Sequence, residues 1–594
     1  MVYFLGWLFL SVVSVSSVFA NNTNCNFIAI AYHDVVWSSE QSNSDSVTRS
    51  DLVGHFQWLK ENGYHPVSVS DILKAQAGEK PLPDKAILIT FDDGYASFYT
   101  VVFPLLKAFN FPAVAAVVGS WIDAKEQHKT IAYGSEMISA ENFMTWKEIK
   151  EVSDSGLVDI ASHSFASHLG ITANPQGTGQ AALVTRFYDM QKGQYESFDT
   201  YKNRVQKDLA TNNDHIFNKI GKRPRVIVWP YGRYNKICLG IAKSIGIKIS
   251  ITLDDEKYSN STADLDAVGR CYYTPDETFS AYIMRLENSK KRNNAALRAV
   301  RIDLDKIYDP DPKKIEENLS RLIDRLYKYQ ISAVFIKAFS NTQENGHAES
   351  LYFHNRHLPI KSDIFNRICW QITTRVCWQL DTHSYTQVYA WLPMAAFDFK
   401  GGGSSGKSLS SRQKILEIYE DLAFNNSIAG IVLDDGMSSD LDNWSPAAID
   451  FTKEIMQKAK VFRPALKVVR GFSYVPTSEP GSEAWFAQTL QSYFDAYDYV
   501  ALMTMPSSSG LLELVDEVKK NPSGIKKTIF EIQTIDRSDN DVPLDSGVIL
   551  KQMRSLSAQG VRHFSLYPDD FFNDQPEIAV VREGISLQEY PYLP

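Results

Sequence analysis

The chain has 594 residues, 44% of them hydrophobic, and carries 61 basic against 70 acidic side chains for a net charge of −9. That length exceeds what one hydrophobic core supports, and calls for several domains or for two α/β barrels of about 250 residues each. The acidic balance excludes a protein built to hold nucleic acid, because phosphate binding needs a basic surface.

Residues 1–20, MVYFLGWLFLSVVSVSSVFA, are a continuous apolar run ending in small residues, with Val18 and Ala20 placed for cleavage and Asn21-Asn22-Thr23-Asn24 behind it. This reads as a secretory signal peptide. An uncleaved anchor is the alternative, since about 20 apolar residues span a bilayer. Cys25 raises lipidation, although Thr23-Asn24 before it lacks the small apolar residues that such processing prefers. The other cysteines are Cys238, Cys271, Cys369 and Cys377, and no C-x-x-C pair occurs, which argues against a thiolate zinc site. An oxidising compartment permits a Cys238–Cys271 or Cys369–Cys377 bridge, with buried free thiols as the alternative.

Expected strands follow at 27–31, 86–91, 113–118, 158–161, 226–229 and 247–252, alternating with helical stretches such as 51–61, 100–109 and 145–155. That rhythm implies a mostly parallel sheet, open or closed. The charged run 287–294 is the natural boundary, giving a linker over 287–297. The rhythm then restarts with strands at 299–304, 333–337, 387–392, 430–433, 467–471, 499–503, 527–533 and 563–566, the count of a closed (β/α)8 barrel. GGGSSG at 401–406 is a flexible loop after a barrel strand. The expected fold class is α/β: an irregular or incomplete (β/α) barrel over 26–286, then a TIM-like barrel over 298–594.

Two strand ends in the first domain carry chemistry. Ile87-Leu88-Ile89-Thr90-Phe91 runs into Asp92-Asp93-Gly94, and Ile160-Ala161-Ser162 runs into His163, with His168 five residues on. Adjacent carboxylates repel and cost desolvation unless a cation or proton compensates, although Asp-Asp-Gly is also a turn signature. Two imidazoles and one carboxylate converging from strand ends suit a borderline divalent cation such as Zn²⁺, with a position left for water.

TFDDG followed by H-S-x-x-x-H resembles the metal triad of the NodB-type polysaccharide deacetylases. The histidine spacing, one residue longer than usual there, and the segments AYHDVV at 31–36, VGSW at 118–121, ANPQG at 173–177 and VWPYG at 228–232 are similar to the exopolysaccharide deacetylases acting on poly-β-1,6-N-acetylglucosamine. The resemblance implies Asp93, His163 and His168 as metal ligands for Zn²⁺, Co²⁺ or Ni²⁺. It implies Asp92 as general base, and a backbone N–H of Tyr231, in Trp229-Pro230-Tyr231-Gly232, for the oxyanion; Trp229 joins the substrate-facing set. The leaving amine needs a proton, and the late histidine usual in the superfamily is missing. The resemblance implies that His33, at the end of the first strand, supplies it instead, with Asp34 placed to orient the ring. Val228 replaces the arginine usual before the Pro-Tyr motif, and Asp254-Asp255 end the strand at 247–252 without an assigned role.

In the second domain, Asp303 and Asp305 share a face of the first strand, Asp434-Asp435 end the fourth, Glu531 lies in the seventh and Asp569-Asp570 end the eighth. Acids gathered at barrel strand ends are what glycoside hydrolysis uses, whereas acids paired with Arg301, Lys337 and Arg470 would only grip polymer. VRIDLDKIYDPDP, Ile364-Phe365-Asn366-Arg367, YAWLP at 389–393 and YPDDFF at 567–572 resemble the hydrolase domain of the same two-domain proteins, which implies Asp434 as catalytic. Leu433, Gly436-Met437-Ser438-Ser439 and Ser507-Ser508-Ser509-Gly510 depart from that pattern.

The expected function is metal-dependent N-deacetylation of extracellular poly-β-1,6-N-acetyl-D-glucosamine, in support of export and biofilm formation. The barrel is expected to bind partly deacetylated polymer in an acidic cleft with Asp303, Asp305, Glu531 and Asp569, and to cleave it slowly through Asp434. The alternatives are a deacetylase of chitin oligomers or peptidoglycan, and a polymer-binding export module with a silent barrel. The expected location is the periplasm with outer-membrane association open, and the expected partners are the polymer and an outer-membrane export porin.

Overall fold

The computed structural model describes residues 26–38, 45–134, 136–253, 259–275, 277–287, 296–341, 347–379, 384–399, 410–434, 446–473, 482–503, 508–536 and 541–588. The leader at 1–20, Cys25, Asp254-Asp255, most of the 287–297 boundary, the GGGSSG loop, Asp435 to Ser439 and Ser507 lie outside the described residues. Among the described residues no helix is long and apolar enough to cross a membrane.

The first domain is an open sheet. Its neighbours run Ile249–Ile251, Val226–Val228, Val158–Ser162, Ala113–Val117, Ala86–Phe91, Asn26–Tyr32 and Ser259–Ser261, with Cys271–Tyr272 also beside Asn26–Tyr32 and His65–Pro66 beside Ala86–Phe91. All six residues of Ala86–Phe91 are buried, as a continuous aliphatic run between parallel neighbours must be. The register Ile28↔Ile87 to Tyr32↔Phe91 brings His33 and Asp92 out side by side at the carboxyl edge. Helix Trp146–Asp154 starts on a reciprocal Thr145–Glu148 capping box. The helix expected at 100–109 divides into a π turn, Phe98–Val102, and helix Phe103–Phe109.

The second domain closes. Arg298–Asp303, Ala333–Lys337, Gln387–Leu392, Gly430–Leu433, Lys467–Ser473, Tyr499–Met503, Thr528–Gln533 and Phe564–Tyr567 form an eight-stranded parallel barrel, the last strand pairing with the first. The domains are not independent bodies. Leu183, Tyr201, Val205, Trp229 and Cys238 of the first share one buried apolar cluster with Phe424 and Phe462 of the second, and the Tyr201 and Phe424 rings lie 5.1 Å apart, edge to face. Neither permitted disulfide forms: no bridge joins Cys238 to Cys271 or Cys369 to Cys377. Cys238 instead sits in the domain core with its thiol 3.1 Å from the Leu183 carbonyl.

Candidate metal centre

Three side chains converge at the carboxyl edge of the open sheet. His163 Nε2 and His168 Nε2 lie 3.4 and 3.5 Å from Asp93 Oδ1, and one ligand atom from each residue falls within 4.8 Å of the others. Strand Ala86–Phe91 delivers Asp93 and strand Val158–Ser162 delivers His163, while His168 arrives on the loop that follows. The backbone is bent to do this. Asp93, Ser164 and Tyr231 adopt left-handed φ values of 71°, 70° and 57°, conformations that cost about 1 kcal/mol or more each and that gather where function holds them. Gly232 completes the Tyr231 turn, because a Cβ there would meet the Leu253 backbone at 2.6 Å.

The donor set fits a divalent cation. Asp93 is fully buried and its Oδ1, facing both imidazoles, has no hydrogen-bond partner among the described residues. A buried carboxylate oxygen left that way costs free energy unless a cation completes it. His163 Nδ1 donates to the Val228 carbonyl at 2.7 Å, which fixes the tautomer and turns Nε2 toward Asp93. Burial pushes the His168 imidazole down to about 4, so it is a neutral donor at physiological pH. Tyr133 OH donates to Asp93 Oδ2 at 3.2 Å; burial and the Asp93 charge keep that phenol protonated.

Asp92 is positioned by a residue that sequence reasoning missed. Arg270 donates Nη1 to Asp92 Oδ1 and Nη2 to Oδ2, both at 2.8 Å, and Nη1 also reaches Thr90 Oγ1 at 2.8 Å. Burial alone would raise the Asp92 carboxyl, and the guanidinium outweighs it and holds the group below the ordinary carboxylate range. Arg270 belongs to no motif and lies 178 residues from Asp92. It reaches the site because Cys271–Tyr272 returns to pair with Asn26–Tyr32. Val228, which occupies the usual arginine position before Pro-Tyr, contributes its backbone instead, since its carbonyl holds His163.

His33 stands across the site, Nε2 3.8 Å from Asp92 Oδ2, its ring edge-on to Tyr272 at 5.1 Å. The expected Asp34 contact does not form. Asp34 accepts from Ser97 Oγ and Val35 N, and His33 Nδ1 has no hydrogen-bond partner among the described residues. Tyr231 is 41% exposed and its ring lies 4.6 Å from His168, on the open side. Trp229 is fully buried with its indole N–H donated to Ser250 Oγ, so it supports the sheet and does not face substrate. The histidine at 215 pairs with Asp123 at 2.8 Å, away from the chemistry.

The barrel mouth differs from a bare acidic cleft. Arg301 Nη1 lies 2.8 Å from Asp434 Oδ2 and 3.1 Å from Glu531 Oε1, its guanidinium over the Trp391 ring at 4.4 Å. Lys337 holds Asp303 at 2.8 Å and Asp305 at 3.1 Å, and Lys361 adds a 3.1 Å contact to Asp305. Arg470 Nη1 donates to the Leu433 carbonyl beside Asp434. Each of these four acids therefore contacts a cation. Asp569 is not among them: it turns from the mouth toward helix Pro312–Tyr329, where Arg325 binds it at 2.8 and 2.9 Å and Tyr329 OH at 2.7 Å. Its two-residue offset past strand Phe564–Tyr567 points it into the helix layer.

The family described as Polysaccharide deacetylase matches residues 79–250, and that described as Hypothetical glycosyl hydrolase family 13 matches 301–412 and 444–567. A poly-β-1,6-N-acetyl-D-glucosamine N-deacetylase of Escherichia coli K12 is 33% identical over 634 aligned positions, covering 95% of this chain and 92% of its own. The solved de-N-acetylase from Aggregatibacter actinomycetemcomitans is 38% identical, covering 44% of this chain and 99% of that one at a TM-score of 0.41. The glycoside hydrolase domain from Bordetella bronchiseptica is 29% identical, covering 50% of this chain and 100% of that one, also at 0.41.

Proposed function

The chain belongs to the poly-β-1,6-N-acetyl-D-glucosamine N-deacetylase family, and from that premise we propose that its first domain hydrolyses N-acetyl groups of that polymer at a divalent-metal centre held by Asp93, His163 and His168. The observation that carries the reading is the convergence of these ligands beside an ionised Asp92. A bound Zn²⁺, Co²⁺ or Ni²⁺ would supply a Lewis acid for the acetyl carbonyl and lower the pKa of water toward neutrality. Asp92, kept ionised by Arg270, takes a proton from the attacking water as its oxygen bonds to the acetyl carbon. The Tyr231 backbone N–H stabilises the developing oxyanion. His33 gives a proton to the nitrogen as the C–N bond breaks, leaving acetate and a glucosamine ammonium. The test is acetate release from β-1,6-linked N-acetylglucosamine oligomers, with and without chelator. β-1,4-linked oligomers turned over as well or better would favour the chitin or peptidoglycan reading.

His33→Ala is expected to retain the cation and to lose about 10²-fold or more in turnover, the scale of general acid catalysis. Wild-type rates at every pH would exclude His33 as the acid. On the same reading the enzyme works in the periplasm on polymer passing to an outer-membrane export porin and into biofilm, a location supported by the apolar leader at 1–20.

The barrel binds the partly deacetylated product, and Asp434 is its candidate for slow cleavage. Because Arg301, Lys337 and Lys361 already offset the acids of the mouth, the preference for cationic over acetylated oligomer is expected to be about threefold to fivefold and to fall with salt. Titrations of the full chain carrying His163→Ala, which leaves the acetylation of the oligomers unchanged, measure this on a timescale short against cleavage. Equal affinity for both forms ends the electrostatic account, and cleavage undiminished in Asp434→Asn removes that residue from the chemistry.

A further inference from the structure

The segments ANPQG at 173–177 and Ile364-Phe365-Asn366-Arg367 take no part in the deacetylation chemistry, and in the folded chain they meet. Asn174 is fully buried and Asn366 is 1% exposed. Asn174 Nδ2 donates to Asn366 Oδ1 at 2.7 Å, and Gln180 Nε2 donates to the same oxygen at 3.0 Å. Asn366 Nδ2 in turn donates to the Asn425 carbonyl, while Asn425 Oδ1 accepts from Arg186 Nη1 at 3.3 Å and its Nδ2 donates to the His354 carbonyl at 2.8 Å. A chain of amides thus crosses from the first domain to barrel helices Phe365–Arg375 and Ser411–Asn425. Buried polar groups joined in this way specify one geometry, and breaking one link leaves its partners unsatisfied.

What this network grips is the segment leaving the metal centre. His168 is followed at once by the hairpin Gly170–Thr172 and Gly179–Ala181, closed by Ala182 N to the Leu169 carbonyl at 3.1 Å. Asn174 forms the hairpin's turn, its Oδ1 accepting from Gln176 N and Thr178 N at 3.1 and 3.0 Å. The front of the ligand loop is held inside its own domain, with Phe165 N and Ala166 N on the Asp208 carboxylate. The rear is anchored on the barrel. His163 directly follows strand Val158–Ser162, with its N–H on the Val117 carbonyl at 3.0 Å and its ring fixed by the Val228 carbonyl, so His168 is the ligand whose place depends on the path of its loop.

We propose that Asn366 is a positioning residue for the deacetylase centre, so that the C-terminal barrel sets the affinity of the N-terminal site for its cation. This rests on the reading that Asp93, His163 and His168 hold a metal. The test is calorimetric titration of Zn²⁺ into chelator-stripped full-length protein, with thermal unfolding of each metal-free variant alongside. Asn366→Ala and Asn174→Ala are each expected to raise the Zn²⁺ dissociation constant about tenfold, the scale of losing a ligand-orienting contact. The double variant should be no weaker than either single one, since both act through one contact. Thr386→Val removes a buried barrel hydrogen bond to the Ile331 carbonyl away from the hairpin, and is expected to lower the melting temperature without moving the dissociation constant. Zn²⁺ affinity within twofold of wild type in both asparagine variants overturns the proposal, as does a Thr386→Val protein weakened equally. If Asn366→Ala does not fold, Asn174→Ala decides alone. Failure of the wild-type protein to bind Zn²⁺ would overturn the reading of the centre itself, a result distinct from normal wild-type binding with unaffected variants.

Discussion

Replacing His163 by Ala is expected to strip the cation from the first domain and lower acetate release on the order of 10³-fold or more, while the fold survives. A metal contributes several kcal/mol to a hydrolytic transition state, and each 1.4 kcal/mol is a factor of ten in rate. Two donors, Asp93 and His168, cannot replace three, because the third fixes both affinity and geometry. The strand end tolerates the change. Val158–Ser162 is laddered to Ala113–Val117 through five residue pairs, and Ile227 pairs with Ser162 on its other side. The local cost is the Val228 carbonyl losing its donor, about 1–3 kcal/mol for a buried acceptor. Metal content by mass spectrometry, acetate release and far-ultraviolet circular dichroism measure the three quantities. Full activity in metal-free His163→Ala protein would sink the metal centre.

Asp92→Asn is expected to keep the metal and lose about 10²–10⁴-fold in turnover, the range of a positioned general base. Asp92 is not one of the converging ligands, so Zn²⁺ affinity separates it from Asp93. The substitution also has a structural cost. Asp92 and Arg270 form a buried two-point pair, and removing one charge leaves the other uncompensated, a loss of about 3–5 kcal/mol. Loss of turnover and lowered thermal stability should therefore appear together in Asp92→Asn. Arg270→Lys, which keeps the charge but not the planar fork, should lower stability with a smaller effect on turnover. Asp92→Asn at wild-type rate would mean that the water is activated by another group. Metal lost along with turnover would mean that Asp92 is a ligand.

Much of this protein was readable along the chain. Strands are short apolar runs whose burial on both faces shows in composition, so Ala86–Phe91, Ala333–Lys337, Gln387–Leu392, Gly430–Leu433 and Tyr499–Met503 lie where their residues predict. The convergence of Asp93 and His163 was readable for a related reason, since each directly follows the hydrophobic pattern of a strand, whereas His168 arrives on the loop beyond. Helix Phe198–Ile220 likewise shows in the sequence, since Tyr201, Val205, Leu209, Ile216 and Ile220 recur at helical spacing.

What only the tertiary structure decided concerns partners far apart in sequence. Arg270 against Asp92, Arg301 against both Asp434 and Glu531, Arg325 against Asp569, and Asn174 against Asn366 join residues whose separation carries no local pattern. A charged side chain is legible as a charge, but whether it faces substrate or a counter-charge depends on the element packed beside it. Asp569 and Asp434 both follow barrel strands, and one is buried against a helix while the other reaches the mouth. Trp229 differs from Tyr231 for the same reason, since two residues along a turn separate the core from the cleft. Local sequence determined which atoms are available at each strand end; the closing of sheet and barrel over hundreds of residues determined what those atoms meet.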